Sequence, residues 1–321
     1  MKFVPYPTLS LWAAVSCAVS LAVGAAPAQA QQTRTWVSGA GNDANPCTRA
    51  LPCLSFIEAH SKTNDGGQIN CLDGGSFGPV IITKAITIDC TGTLGGVLNP
   101  MMTAVVINAG AGKAVKLRGL SINGSISFVA AQTGIQIQSA GSVTIENVFI
   151  ENQRERAGIE IAPSTGTLVV NILNTVLTDN SSGPGAGIQV VPSGTALVRI
   201  TMRNVQVLGT TGNAVRLDST GTAGLGILAI IENCNFSNSS GAGISAVAGS
   251  NASPFNVTLL TNSNISNNGG AGISTSGAAA RVRVGNTSLS LNGTGISPGT
   301  GFINNLGGNF VVGNSTEGAF N

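Results

Sequence analysis

Charge is what this chain lacks most. Of its 321 residues, 9% are Asp, Glu, Lys or Arg, against roughly 25% in an ordinary soluble domain. Aromatic residues are 4%, and there is one Tyr and one His. So few lysines and leucine-type helix formers exclude a long helical bundle. A net charge of +2 with almost no aromatics removes both signatures of a nucleic-acid binder, the basic face and the stacking platforms. Disorder is excluded as well, because hydrophobic residues reach 42% and Val, Ile and Leu are plentiful. What the chain has instead is glycine, 44 of them, with amides and β-branched residues. Such a composition buries a core through strands.

The first 30 residues read as a leader. Lys2 is a thin positive start, Leu9 to Gly24 is apolar, and Ala28-Gln29-Ala30 fits a small-x-small cleavage site. The apolar run is short for a membrane span, and Gln31-Gln32-Thr33-Arg34 follows at once. A lipoprotein signal on Cys17 is the rival reading, but Ala14-Val15-Ser16 fits it poorly. Cleavage after Ala30 predicts a secreted, periplasmic or extracellular protein with no transmembrane segment in the mature chain. Trp36 is then the only Trp, no Tyr remains, and the cysteines are Cys47, Cys53, Cys71, Cys90 and Cys234. Four of them crowd the start of the mature chain, which predicts a disulfide-stapled cap over residues 31–80. Cys47 and Cys53 flank a Pro-bounded loop. Cys71 and Cys90 each follow an Ile-x pair and are expected to stack on adjacent turns. Cys234 reads as a buried free thiol.

Residues 81–321 repeat. Gly-Ile recurs at Ile135, Ile159, Ile188, Ile244, Ile273 and Ile296, with Asn213-Ala214-Val215 filling one turn. A second series, Asn147, Asn174, Asn204, Asn233, Asn262 and Asn286, runs in phase and closes short alternating strands. Spacings of 23 to 30 residues suit one coil of a solenoid, each strand stacking on its copy at roughly 4.8 Å. Two inward columns follow: Ile145, Ile172, Met202, Ile231, Leu260 and Val284, and Ile150, Leu177, Val207, Phe236, Ile265 and Leu289. The Asn series is expected at a bend, its stacked amides bonding one another and the local backbone as a buried ladder.

The segment Trp36-Val37-Ser38-Gly39-Ala40-Gly41-Asn42-Asp43-Ala44-Asn45-Pro46-Cys47, continued by Pro52 to Phe56, resembles the opening of secreted right-handed parallel β-helix proteins of the pectate-lyase-like superfamily. The resemblance implies an all-β, right-handed parallel β-helix with a short N-terminal capping helix over residues 54–61, and Gly66-Gly67-Gln68-Ile69 leading into the first coil. That superfamily holds lyases, hydrolases, tail spikes and proteins without known chemistry, so activity has to be read from residues.

Those residues are sparse. The Asn-Thr-Asp, Asp-Asp, Gly-His-Gly and Arg-Ile-Lys segments of polygalacturonase-like members do not occur, and no two acids are adjacent. No Lys follows Lys116 to act as a lyase base. His60 falls on the capping helix, where a solvated or packing role is expected rather than catalysis. Gly110-Ala111-Gly112-Lys113-Ala114 lacks the first Gly and the final Ser or Thr of a phosphate loop and reads as a turn. No metal site and no cofactor are expected.

One segment stands out. Glu151, Arg154, Glu155, Arg156 and Glu160 put five charges into ten residues. Stacking places Glu160, Gln189 and Arg216 in one outward column, with Asp218 two residues beyond Arg216. Arg154, Glu155, Arg156, Glu160 and Arg216 are therefore the candidate ligand-binding residues, and Glu160, Arg216 and Asp218 the alternative catalytic set. In a scaffold, Arg154 and Arg156 are expected to pair with Glu151 and Glu155 instead. Asp89, Arg118, Glu146, Arg203 and Glu232, each one residue before a bend, read as stacked surface pairs. The sequence is read as a structural or surface-interaction scaffold without a recognisable catalytic site. The alternative is a polysaccharide lyase, a glycoside hydrolase or a glycan binder. Polysaccharide or cell-surface components are the partners this leaves open, as is the oligomeric state.

Overall fold

The computed structural model describes residues 1–3, 32–124, 132–180, 185–249 and 255–321. The leader reading falls almost wholly outside these residues. Among the described residues no helix is long and apolar enough to cross a membrane.

The chain winds as a right-handed parallel β-helix, with every ladder parallel and one sheet of 19 strands beside another of 10. Each coil of the body has three strands. A long strand, such as Thr167–Leu173 or Leu197–Arg203, is followed by a three-residue strand, such as Val176–Thr178 or Gln206–Leu208. A third strand, such as Ala186–Val190 or Asn213–Asp218, completes the circuit. Alternation in the long strands explains the core: every second residue points inward, and its neighbour one coil on is chemically alike.

The register is the one the repeats predict. Ile145 pairs with Ile172, Ile172 with Met202, Met202 with Ile231, Ile231 with Leu260 and Leu260 with Val284. The second column runs from Ile150 through Leu177, Val207, Phe236 and Ile265 to Leu289. All of these side chains are fully buried. The Gly-Ile motif has a steric origin. A Cβ at Gly134, Gly158, Gly187, Gly243 or Gly272 would come within 3.0 Å of the second-column side chain packed on it, namely Ile150, Leu177, Val207, Ile265 or Leu289. Glycine lets the short strand press against the third one.

The Asn series does lie at a bend, but its role differs from the one expected. Asn147, Asn174, Asn204, Asn233, Asn262 and Asn286 all have φ between 49° and 55°. Their side chains are exposed, and within this series Asn204 Nδ2 donates to Asn174 Oδ1 at 3.0 Å. Asparagine is here because it tolerates the left-handed region better than other side chains. The buried ladder occupies the next bend, five or six residues on, where Gln153, Asn180, Asn268 and Asn292 are at most 2% exposed. Asn292 Oδ1 accepts from Asn268 N at 3.1 Å and from Asn268 Nδ2 at 2.9 Å. Asn292 Nδ2 in turn donates to Ile265 O at 3.0 Å and to Asn314 Oδ1 at 3.0 Å. Asn180 accepts from Gln153 N at 3.1 Å and donates to Ile150 O at 3.0 Å. These amides satisfy backbone groups that a bend removes from the ladder.

At the N-terminal end the capping helix spans Phe56–Lys62, and Ser55 Oγ caps it by accepting from Glu58 N. Phe56 drives the helix onto the first coil, its ring 5.2 Å from that of Phe77 at a steep angle. Lys62 Nζ ties the helix to Asp43 O at 2.6 Å and Asn45 O at 2.8 Å. Both expected disulfides form, Cys47–Cys53 and Cys71–Cys90, each with Cα atoms 4.7 Å apart. The second joins adjacent coils, so the staple reaches past residue 80 and into the body.

Candidate functional site

The charged segment enters the third face of the coil at Ala157–Ile161. Ile159 and Ile161 point inward, so Glu160 points outward, yet it is only 2% exposed. Neighbouring side chains cover it. Gln136 Nε2 donates to Glu160 Oε2 at 2.7 Å, and Arg156 Nη2 donates to Glu160 Oε1 at 2.8 Å. The next coils place Gln189 opposite Glu160 and Arg216 opposite Gln189, as the repeat register requires. Arg216 Nη2 donates to Asp218 Oδ2 at 2.6 Å. Burial opposes ionisation of Asp218, but hydrogen bonds from the Thr220 hydroxyl and amide and from Arg216 outweigh it, with the arginine charge adding to them. Its pKa consequently falls below the ordinary carboxylate value.

Glu155, Arg156, Glu160, Gln189, Arg216 and Asp218 thus line one cavity of about 290 Å³. Five of the six residues named from the sequence meet there. The sixth, Arg154, is exposed and does not line it. The expected pairing of the arginines with Glu151 and Glu155 is not what forms. Arg156 takes Glu160, and Glu151 Oε1 accepts from Asn123 Nδ2 at 2.5 Å. Glu160 lies within reach of Arg156, four residues before it, once the chain straightens into the strand. Gln136 and Gln189 were missed as site residues. Their signal was in the register, since each occupies the position of Glu160 on a neighbouring coil.

Other candidates resolve as structural. His60 Nε2 accepts from Thr83 N at 3.3 Å, and burial, helped by the Lys84 charge, lowers its pKa to about 4. It is a neutral acceptor at physiological pH. Burial also pushes the Cys234 thiol up to about 11, and its Sγ donates to Glu232 O at 3.3 Å. Such a thiol is a poor nucleophile. Lys113 forms an ion pair with Asp65, so the glycine-flanked turn is spent on structure. The surface pairs appear as expected, Arg118 with Glu146 at 2.9 Å and Arg203 with Glu232 at 3.0 Å. Among the described residues no three His, Cys, Asp or Glu side chains converge as a metal site would require.

Comparison with known proteins agrees with the geometry. The family described as right handed beta helix region matches residues 186–320. Among solved structures, pectate lyase Pel9A superposes with a TM-score of 0.50 at 14% identity, over 85% of this chain and 68% of its own. This chain is a right-handed parallel β-helix. A rhamnogalacturonan lyase is also similar, with a TM-score of 0.43 at 13% identity, over 81% of this chain and 68% of its own. No curated protein matches the sequence. At such identities the likeness speaks for the architecture of this β-helix alone, and the chemistry has to come from its own side chains.

Proposed function

We propose that this β-helix is an extracellular, non-catalytic scaffold that presents its coil surface to other molecules. The observation that supports this reading most is the pairing inside the cavity. Glu160 is held by Arg156 and Gln136, and Asp218 by Arg216 and Thr220. Glycoside hydrolysis uses two carboxylates roughly 5–9.5 Å apart, one of them with a raised pKa. Glu160 and Asp218 stand two rungs apart along the coil and two residues along the strand, which sets their Cα atoms more than about 10 Å apart at the usual strand spacing. Asp218, moreover, is shifted down. A lyase needs a free base, and Arg216 is tied to a carboxylate. The two disulfides suit an oxidising compartment, in keeping with the leader expected at residues 1–30.

The second reading, a polysaccharide-active enzyme or glycan binder, draws support from Glu160 itself, a carboxylate 2% exposed beside a polar cavity. The test is to incubate the protein with a polysaccharide panel and follow reducing ends and unsaturated products. The scaffold reading expects neither product, and no change in any binding when Glu160→Ala and Arg216→Ala are combined. Product formation that this folded double variant loses would overturn it.

A further inference from the structure

On a sheet with one face in water, the outward set of residues is ordinarily polar. The long-strand face obeys this through its early coils, where one outward column reads Thr87, Lys116, Thr144, Asn171 and Thr201. Then the pattern changes. Thr201 is followed by Ile230 and Leu259, and in the adjacent column Arg199 is followed by Leu228 and Val257. Arg281 and Arg283 come next, opposite Val257 and Leu259. Four aliphatic side chains therefore form a block two coils deep, with Arg199 at one end and Arg281 and Arg283 at the other. Three rungs separate Arg199 from Arg281, about 14 Å. A groove of about 560 Å³ runs over the block, and Ile230 in its centre is 43% exposed.

These three arginines differ from Arg118, Arg156, Arg203 and Arg216, all of which hold an acid. Arg199, Arg281 and Arg283 have no acidic partner among the described residues, and after Glu232 the only acid in the sequence is Glu317. Arg281 lies over the Phe302 ring at 4.8 Å, which holds the guanidinium in place and leaves its donors free.

The occupant must bring hydrocarbon to the block and anions to its ends. The four-residue floor has no hydroxyl, amide or aromatic ring to bind a sugar. Arginine forks match phosphate oxygens bidentately. We propose that this face docks onto an anionic lipid surface, with Leu228, Ile230, Val257 and Leu259 against the acyl boundary and the three arginines on phosphates. The proposal rests on the surface-interaction reading and names its partner.

Co-sedimentation of the purified, full chain with vesicles tests it. Binding is expected to vesicles of equal parts phosphatidylcholine and phosphatidylglycerol, weakening as salt rises, and not to phosphatidylcholine alone. Each arginine removed should weaken binding about fivefold, so Arg199→Ala, Arg281→Ala and Arg283→Ala together about a hundredfold. All three side chains point outward, and a melting curve checks that the variant folds. Arg49→Ala, which removes an exposed arginine of the N-terminal cap, should bind like the parent chain. Binding to neither vesicle, equal binding to both, or full binding by the folded triple variant would overturn the proposal. So would self-association through this face, or preference for an acidic glycan. Failure to bind vesicles would leave the scaffold reading standing, because that reading is tested by polysaccharide cleavage and by the Glu160 and Arg216 variants.

Discussion

At the first bend of six successive coils an asparagine side chain looks out to solvent; at the second bend of four of them an amide is sealed in the core. The two columns use one residue type for opposite reasons. The outer series answers a backbone problem, a φ near 50° that asparagine and glycine accept. Gly119 and Gly308 take over that conformation at φ 64° and 69° near the ends of the series. At the second bend Asn152, Asp179, Gly209, Asn238 and Asn267 answer the same backbone problem, and Leu291 alone departs from it. The next residue carries a further restriction, since an amide there hydrogen-bonds in both directions along the axis. Side-chain identity thus follows the torsion at the first bend and both the torsion and the hydrogen-bond account at the second.

The sharpest way to break this comparison is at the inner column. Asn292→Leu removes two donors and one acceptor and strands Asn268 N, so it should cost about 3 kcal/mol, read as a lower urea midpoint. A midpoint like that of the parent chain would end the argument for an energetic ladder. The inner column can also be improved. It lapses at Thr210 and Ser239, whose hydroxyls are buried without a partner. Ser239→Asn should regain the amide pattern, donating to Val207 O and accepting from Thr210 N, for a gain of about 1 kcal/mol. If calorimetry shows a loss instead, the two lapses are fixed by packing rather than left over.

The outer column should respond less. Asn233→Ala is expected to cost roughly 0.5–1 kcal/mol and Asn233→Gly close to nothing, because φ is what the position demands. A cost for alanine equal to that of Asn292→Leu would erase the distinction between the bends. Smallest of all is Cys234→Ser. Its thiol takes the place of the hydroxyls of Thr175, Ser263 and Thr287, which donate to Leu173 O, Thr261 O and Gly285 O at 2.9, 2.8 and 3.0 Å. Exchange should stay within about 0.5 kcal/mol.

What could be read from the sequence was whatever sterics repeats. Gly158 and Gly187 are forced by the side chain packed against them, and Ile172 and Met202 by the pleat, so their spacing announces the coil. Glu160, Gln189 and Arg216 inherit that spacing and could be stacked without coordinates. The buried amides could not, because Gln153, Asn180, Thr210, Ser239 and Asn268 share a task without sharing a residue. An asparagine at 174 and one at 180 look alike in sequence, and only the bend decides which one faces inward. The partner of Arg156 was equally hidden, since three glutamates lay within reach and strand direction chose among them. The aliphatic block between Arg199 and Arg283 was missed although Ile227-Leu228-Ala229-Ile230-Ile231 is an unbroken apolar run, because the inward set alone was enough to place the strand in the repeat.

The Cys71–Cys90 link has a mechanical consequence. In a stack whose coils touch only their neighbours, the chain can unwind one rung at a time from either end. Fastening the first coil to the second closes one of those routes, and among the described residues no covalent tie joins later coils. Pulled or digested, such a molecule should peel like a tape fixed at its start, each released loop baring the next, until the peeling stops at the sulfur knot.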